Sequence, residues 1–163
     1  MRSSQSHCAH LLLQPFTHGV AESRSRIIVE FIADLFPHAG ILPADPVQRA
    51  QVRLFVDAVA THFEKPWRPY LARGESGTPL VDGAVALEAR LAGKFALGEK
   101  FTAADIAIAP VLLCGEVWSE LKDGGMLYQE IRERAPRFWR YYQDLKAHPS
   151  VASTYDYVSS VDD

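Results

Sequence analysis

The residues of this chain most able to do chemistry include a cysteine among histidines near the amino terminus. His7 precedes Cys8 directly, and His10 lies two residues further on. An imidazole beside a thiol can lower the pKa of the thiol and so generate the nucleophilic thiolate. That activation also needs a fixed geometry, and the surrounding sequence shows neither helical nor strand periodicity. We therefore predict that Cys8 is not a catalytic nucleophile.

The same side chains could hold a metal ion, because imidazole and thiolate are ligands that zinc prefers. The spacing of His7, Cys8, His10 and His18 matches no recognised zinc motif, so we predict no metal site. Cys114, the other cysteine, lies in an apolar stretch and is interpreted as a small core residue. With only two cysteines, a disulfide framework is not expected, which favours a reducing, intracellular setting.

One carboxylate lies in a pattern that starts a helix. Thr102 and Asp105 have the spacing of a capping box, with Asp where Glu or Gln is usual. A buried carboxylate often has a raised pKa and could serve as a general base. Capping accounts for Asp105 fully, and we predict a structural role. The helix that follows, over 106–117, is apolar on nearly every side, which is typical of the centre of a bundle.

Composition limits the class of protein. The chain has 163 residues, of which 48% are hydrophobic and 23% charged, which is typical of one globular domain with a possible tail. The net charge of -3 disfavours a nucleic-acid partner, since phosphate binding relies on a basic surplus. No apolar run approaches the roughly 18 residues of a membrane span. We expect a soluble, cytoplasmic protein with no membrane partner.

The periodicity is helical after residue 25. An apolar stripe runs along the first helix, and Asp45 followed by Pro46 is a typical start for the second. The predicted buried face of the second helix comprises Leu54, Phe55, Ala58, Val59, Phe63, Trp67, Tyr70 and Leu71. No strand alternation bounded by turns appears. We predict an all-α fold of about seven helices, with an irregular segment over 1–22 and a helical domain over 23–163.

This order of signals resembles the C-terminal helical domain of cytosolic glutathione transferases. Within it, residues 31–37 are similar to the sequence of fungal omega-like members. The resemblance spans 24–157 and rests on four pieces of sequence, namely 25–32, 42–46, 101–107, and 135–136 with 148–151. The resemblance implies a glutathione transferase-like protein, that is, a detoxification enzyme that transfers glutathione to small hydrophobic electrophiles or exchanges thiols. It also implies glutathione as the co-substrate, no metal, and a homodimer.

The resemblance places the glutathione γ-glutamyl carboxylate at the start of the first helix, where the family has a Glu-Ser pair. Here Glu22 and Ser23 lie two residues early, and Arg24 and Ser25 occupy the matching positions. Either pair could receive the carboxylate, so both stay candidates. The family's thioredoxin-like domain needs more than the about two dozen residues that precede this helix. We therefore expect a truncated chain with weak or absent glutathione binding.

The family builds its hydrophobic-substrate pocket from helices that correspond to those carrying Trp67, Tyr70 and Trp118. These aromatic residues are candidate pocket walls, although aromatic residues at helical spacing more often pack in the core. No catalytic residue can be identified, and whether the chain is an enzyme stays open. The alternative is a non-catalytic protein-interaction module that uses the same bundle.

Overall fold

The computed structural model describes the backbone of residues 20–160 and the side chains of residues 26–155. The described part is all-helical apart from turns and one isolated bridge between Phe95 and Gly98, as predicted. Its α-helices are α1 (Val20–Leu35), α2 (Pro46–Val59), α3 (Lys65–Arg73), α4 (Thr78–Glu88), α5 (Ala103–Asp123), α6 (Met126–Arg134), α7 (Pro136–Lys146) and α8 (Pro149–Ser160). No described helix is long and apolar enough to cross a membrane.

Helices α2 and α3 form one continuous rod, because the intervening Ala60–Glu64 is π-helical. Counting that rod once gives seven helices in the described part of the chain. The rod begins as predicted: the Asp45 side chain accepts a hydrogen bond from the Gln48 amide at 2.8 Å, and Pro46 occupies the first turn. The backbone of the π-helical segment packs against α4.

Helix α5 runs through the centre of the bundle, where it contacts α2, α6 and α7. It is longer than the predicted 106–117, and Ile108 and Leu112 on it are fully buried. Pro110 lies within the helix, and its side chain is exposed. The predicted central position of this helix is confirmed.

One position of the predicted buried face, Leu54, is exposed. Leu54 is 64% exposed, because α2 packs on the core through Val52, Phe55 and Val59, and Leu54 projects away from that face. Val85 on α4 is also exposed. In both helices the apolar residues extend beyond the face that the bundle covers, so a count of apolar positions overstates the buried width.

Helix α1 has its apolar stripe turned away from the bundle. It contacts α5, and its Ala33 is buried there. Toward the α2–α3 rod it presents a charged row: Arg26, Glu30 and Asp34, one turn apart, pair with Glu64, Arg53 and Arg49. The opposite side is apolar and exposed, and comprises Ile27, Ile28, Phe31, Ile32 and Leu35. We call these five residues the outer stripe.

Candidate functional site

The predicted capping box at the start of α5 is present, and its carboxylate is fully buried. One oxygen of Asp105 accepts hydrogen bonds from the Thr102 amide at 2.8 Å and the Thr102 hydroxyl at 3.1 Å. The other oxygen accepts from the Ala96 amide at 2.9 Å and the Tyr141 hydroxyl at 3.0 Å. Asp105 thus joins the turn before α5, the start of α5 and the middle of α7. A carboxylate with four donors and no solvent contact is built for structure rather than for proton transfer.

Two of the three predicted pocket residues lie inside the bundle. Trp67 and Tyr70 are buried, with ring centroids 5.2 Å apart. The backbone of α5 approaches the Trp67 indole so closely at Gly115 that a Cβ there would collide with it. Because these rings are packed between helices, any role in lining a pocket requires a ligand to reach their edges from the outside.

Tyr70 belongs to a polar network that the sequence did not indicate. Its hydroxyl donates to the Asp123 carboxylate at 2.7 Å, and the Ser119 hydroxyl donates to the same carboxylate at 2.9 Å. The ammonium of Lys122 lies 3.3 Å from the centroid of the Tyr70 ring. Burial and the neighbouring Asp123 carboxylate raise the pKa of Tyr70 well above its usual value. The phenol therefore stays protonated and acts as a hydrogen-bond donor.

Trp118 is the pocket candidate that keeps some exposure. It lies half-buried on α5, one turn beyond Cys114, which is also half-buried. The indole N–H of Trp118 is enclosed, and no hydrogen-bond acceptor for it is found among the described residues. Such an unpartnered donor is uncommon in a protein interior. Of the three predicted pocket residues, Trp67 and Tyr70 are thus packed inside the bundle, and Trp118 has an indole N–H without an acceptor among the described residues.

A second network joins α5 to α7. Glu116 accepts hydrogen bonds from the Tyr142 hydroxyl at 2.7 Å and from the Lys146 ammonium at 2.6 Å. Burial is the main cause that raises the pKa values of both Tyr142 and Tyr128. The hydroxyl of Tyr128 donates a hydrogen bond to the Leu112 carbonyl at 2.6 Å. These phenols are protonated at neutral pH and hold helices together. Because the two residues of each hydrogen bond are far apart in sequence, no local sequence pattern predicts these bonds.

The predicted glutathione-binding residues lie on α1. The helix begins at Val20, so Glu22 and Ser23 lie in its first turn. Arg24 and Ser25, which were expected at the start of the helix, lie in its second turn. The side chains of all four residues are outside the described part of the structure. The helix starts at Val20, three residues before the helical domain predicted from residue 23. Residues 1–19, which include Cys8 and its neighbouring histidines, lie outside the described residues.

The described surface includes two clefts close to the elements discussed above. An open groove of about 740 Å³ lies between the π-helical segment and α4, and its lining includes His62, Ser76 and Asp82. A smaller cleft of about 340 Å³ between α7 and the turn before α5 carries Lys94, Arg137 and Arg140. Within the described residues no group of histidine, cysteine and carboxylate side chains is arranged to hold a metal ion.

Comparisons with known proteins agree with this architecture. The family model described as "Glutathione S-transferase, C-terminal domain" matches residues 78–144. The crystal structure of glutathione transferase Omega 1C from Trametes versicolor is similar, with 39% identity and a TM-score of 0.74, over 84% of this chain and 62% of that one. The Omega 2C structure from the same fungus has 36% identity and a TM-score of 0.71, over 85% and 63%.

Curated relatives match over shorter stretches. A stringent starvation protein A homolog from Pasteurella multocida is 35% identical over 99 residues, or 54% of this chain and 44% of the relative. A probable maleylacetoacetate isomerase from Caenorhabditis elegans is 30% identical over 108 residues, or 58% and 50%. The chain thus spans about half the length of these relatives and less than two thirds of the fungal structures.

Proposed function

From the premise that this chain carries a helical domain of the glutathione S-transferase C-terminal type, we propose that it supplies the hydrophobic-substrate half of a glutathione transferase-like protein. The full reaction would be attack of the glutathione thiolate on a small hydrophobic electrophile, or thiol exchange on a glutathionyl adduct. The observation that carries the proposal is the buried Thr102–Asp105 box at the start of the central helix, which lies inside the matched region.

The proposal assigns binding rather than thiolate generation to the described residues. Lowering the pKa of a thiol requires a hydrogen-bond donor or positive charge held beside it. The buried tyrosines Tyr70, Tyr128, Tyr141 and Tyr142 already donate to protein acceptors. None of these hydroxyls is available to a bound thiol, so we expect the isolated chain to turn over little or no substrate.

Trp118 is the residue of the described part that best fits contact with a hydrophobic co-substrate. Its indole is half-buried and its enclosed N–H lacks an acceptor, so a ligand carrying a carbonyl or ether oxygen could both pack on the ring and accept that bond. Glutathione itself would meet the first turn of α1, which contains Glu22 and Ser23, where free backbone amides and the positive helix end attract a carboxylate. A single helix end gives weak binding, and we propose that glutathione affinity is low.

The test measures turnover and retention on the same preparation. The purified chain is assayed with glutathione and a generic aryl halide or glutathionyl-ketone substrate, and is passed over immobilised glutathione. We expect no rate above the rate without protein and weak retention. Substantial turnover would refute the assignment of this chain to a binding half. The affinity for an aromatic ketone, measured by equilibrium dialysis, should be lower in Trp118→Phe, which keeps an aromatic ring but removes the N–H. Equal affinity in the two proteins would refute the role of Trp118.

A second candidate function is a non-catalytic interaction module, and the exposed outer stripe of α1 favours it. A stable complex with another protein, combined with no retention on glutathione, would support this alternative. We also propose that the protein is cytoplasmic and that it forms a homodimer; sedimentation of the purified chain at several concentrations tests the dimer.

A further inference from the structure

We propose that two copies of this chain pair through the outer stripe of α1, with the two helices antiparallel about a two-fold axis that passes between Phe31 and Ile32. This interface presupposes the homodimer proposed above. Every residue of the stripe is a large apolar residue, and each is at least 41% exposed. A contiguous apolar face that water can reach marks a contact surface in soluble proteins.

The spacing of the stripe is symmetric about its own centre. Large apolar residues come in adjacent pairs, one turn apart, at 27–28, 31–32 and 35–36. Phe36 completes the third pair, because its amide donates a hydrogen bond to the Ile32 carbonyl at 3.0 Å and the residue is 51% exposed. Reversal of the helix about a point between residues 31 and 32 exchanges the first pair with the third and returns the middle pair to itself. An antiparallel copy of α1 therefore presents an apolar pair to each apolar pair.

These pairs form two ridges along α1. Residues 27, 31 and 35 follow one row of fourth neighbours, and residues 28, 32 and 36 follow the next, with a groove between them. Ridges and grooves of this kind interlock when two helices cross at about −50°, with their axes about 8–10 Å apart. Because both copies present the same rows, the face complements itself, as an interface with two-fold symmetry requires.

The charged residues of α1 do not oppose this pairing. Arg26, Glu30 and Asp34 lie on the side of the α2–α3 rod, where each has a partner of opposite sign. The stripe and Phe36 contain no charged residue. Pairing through them removes no ion from water, so the cost of desolvating charges does not arise.

The exposed area is sufficient for a dimer. The five stripe residues and Phe36 are each about half exposed. A large apolar side chain presents about 200 Å² in full, so one copy exposes about 600 Å² on this face. Full burial in two copies removes about 1,200 Å² from water, which is the lower end of the range for stable interfaces. A second copy supplies the matching face by symmetry, whereas a different protein would need an apolar ridge of its own.

Single cysteines test the antiparallel arrangement in the full chain. In a background with Cys8→Ser and Cys114→Ala, the test variant carries Ile32→Cys, and the matched control carries Ile27→Cys. Residue 32 lies beside its own copy at the axis, within the about 4.4–6.8 Å between Cα atoms that a disulfide needs. Residue 27 and its copy lie nine residues apart along the helices, or about 13 Å, which is too far. Circular dichroism verifies that both variants are folded.

We expect the Ile32→Cys variant to form an intermolecular disulfide at least about tenfold faster than the Ile27→Cys variant. Mass spectrometry under non-reducing conditions measures the two rates. Equal rates would overturn the proposal, because a parallel pairing or random collision links both positions alike.

Sedimentation gives a second readout that does not depend on oxidation. Phe31 and Leu54 are 61% and 64% exposed, and Leu54 lies outside the stripe. Phe31→Asp brings two carboxylates together at the axis, so we expect the dissociation constant of the dimer to rise at least about hundredfold. The control Leu54→Asp should leave it unchanged.

The outcomes separate this interface from the homodimer itself. A monomeric parent chain at every concentration would refute both proposals. A dimeric parent whose Phe31→Asp variant is equally dimeric would refute the interface and leave the homodimer standing. Specific loss of the dimer in Phe31→Asp, together with fast linking at residue 32, would support both.

Discussion

Replacement of Asp105 with alanine is expected to lower the free energy of unfolding by about 3–6 kcal/mol. The change removes the only carboxylate that accepts from the Ala96 amide, the Thr102 amide and the Tyr141 hydroxyl. Each buried donor left without an acceptor costs about 1–2 kcal/mol, and three such donors give the total. The Thr102 hydroxyl is not counted, because it can rotate toward another acceptor. Since whole domains are stable by about 5–15 kcal/mol, the loss is large.

Two gentler variants separate the contributions within this cluster. Tyr141→Phe removes one donor together with its bond and leaves the Asp105 carboxylate with three donors, so we expect a loss of about 1 kcal/mol. Asp105→Asn keeps one acceptor oxygen but places an NH₂ group where the carboxylate faced other donors, so its cost should lie between the other two. The predicted order of destabilisation is alanine, then asparagine, then the tyrosine variant.

Urea denaturation followed by tryptophan fluorescence measures these differences, since the chain contains three tryptophans. Far-UV circular dichroism establishes that each variant is helical before denaturation. If Asp105→Ala lies within about 1 kcal/mol of the parent, the buried carboxylate does not hold the start of α5 and the reasoning fails. If that variant does not fold, the order of the asparagine and tyrosine variants still decides the matter.

Three other changes test the packing and electrostatics of the bundle. Gly115→Ala should destabilise the chain by about 1–3 kcal/mol despite the better helix propensity of alanine, because the new Cβ meets two aromatic side chains. Pro110→Ala on the same helix should instead stabilise the chain by about 1 kcal/mol or more. Thermal melts compare the two variants, and a change of the same sign in both would contradict these expectations. Glu88→Ala should cost about 1–2 kcal/mol in urea titrations, because its carboxylate accepts from the first two amides of α7 at 2.7 and 2.9 Å, and a neutral result would show that α7 needs no cap. Burial raises the pKa of Asp123, but hydrogen bonds from Tyr70, Ser119 and two backbone amides outweigh it and lower the pKa. Asp123 therefore contributes stability above pH about 4 that is lost as the pH falls through its folded pKa; Tyr70→Phe should reduce the difference in unfolding free energy between pH 7 and pH 3, and an unchanged difference would contradict this role.

Local patterns in the sequence predicted the elements well. The Asp45–Pro46 start and the Thr102–Asp105 box are recognised within four residues, because capping is chemistry between near neighbours. The apolar character of 106–117 correctly indicated the central helix. These features depend only on the spacing of residues along the chain, which the sequence states directly.

Features that depend on partners distant in sequence could not be predicted. The Tyr70–Asp123 bond joins residues 53 positions apart, and no local pattern distinguishes this tyrosine from an ordinary core residue. The exposure of Leu54 and of the outer stripe likewise depends on which side of each helix finds a neighbour. A helical wheel gives the width of an apolar face, whereas the packing of the other helices decides how much of it is covered.

The π-helical turn over Ala60–Glu64 limits how this chain can change. Such a turn holds one residue more than an α-helical turn and offsets everything after it by about 100°. Loss of a single amino acid there would restore ordinary winding and leave Trp67 and Tyr70 facing the interior, because the lost residue and the lost offset cancel. The rod is therefore expected to tolerate a one-residue deletion within 60–64 better than one elsewhere along α2, where every later side chain would turn by about 100°.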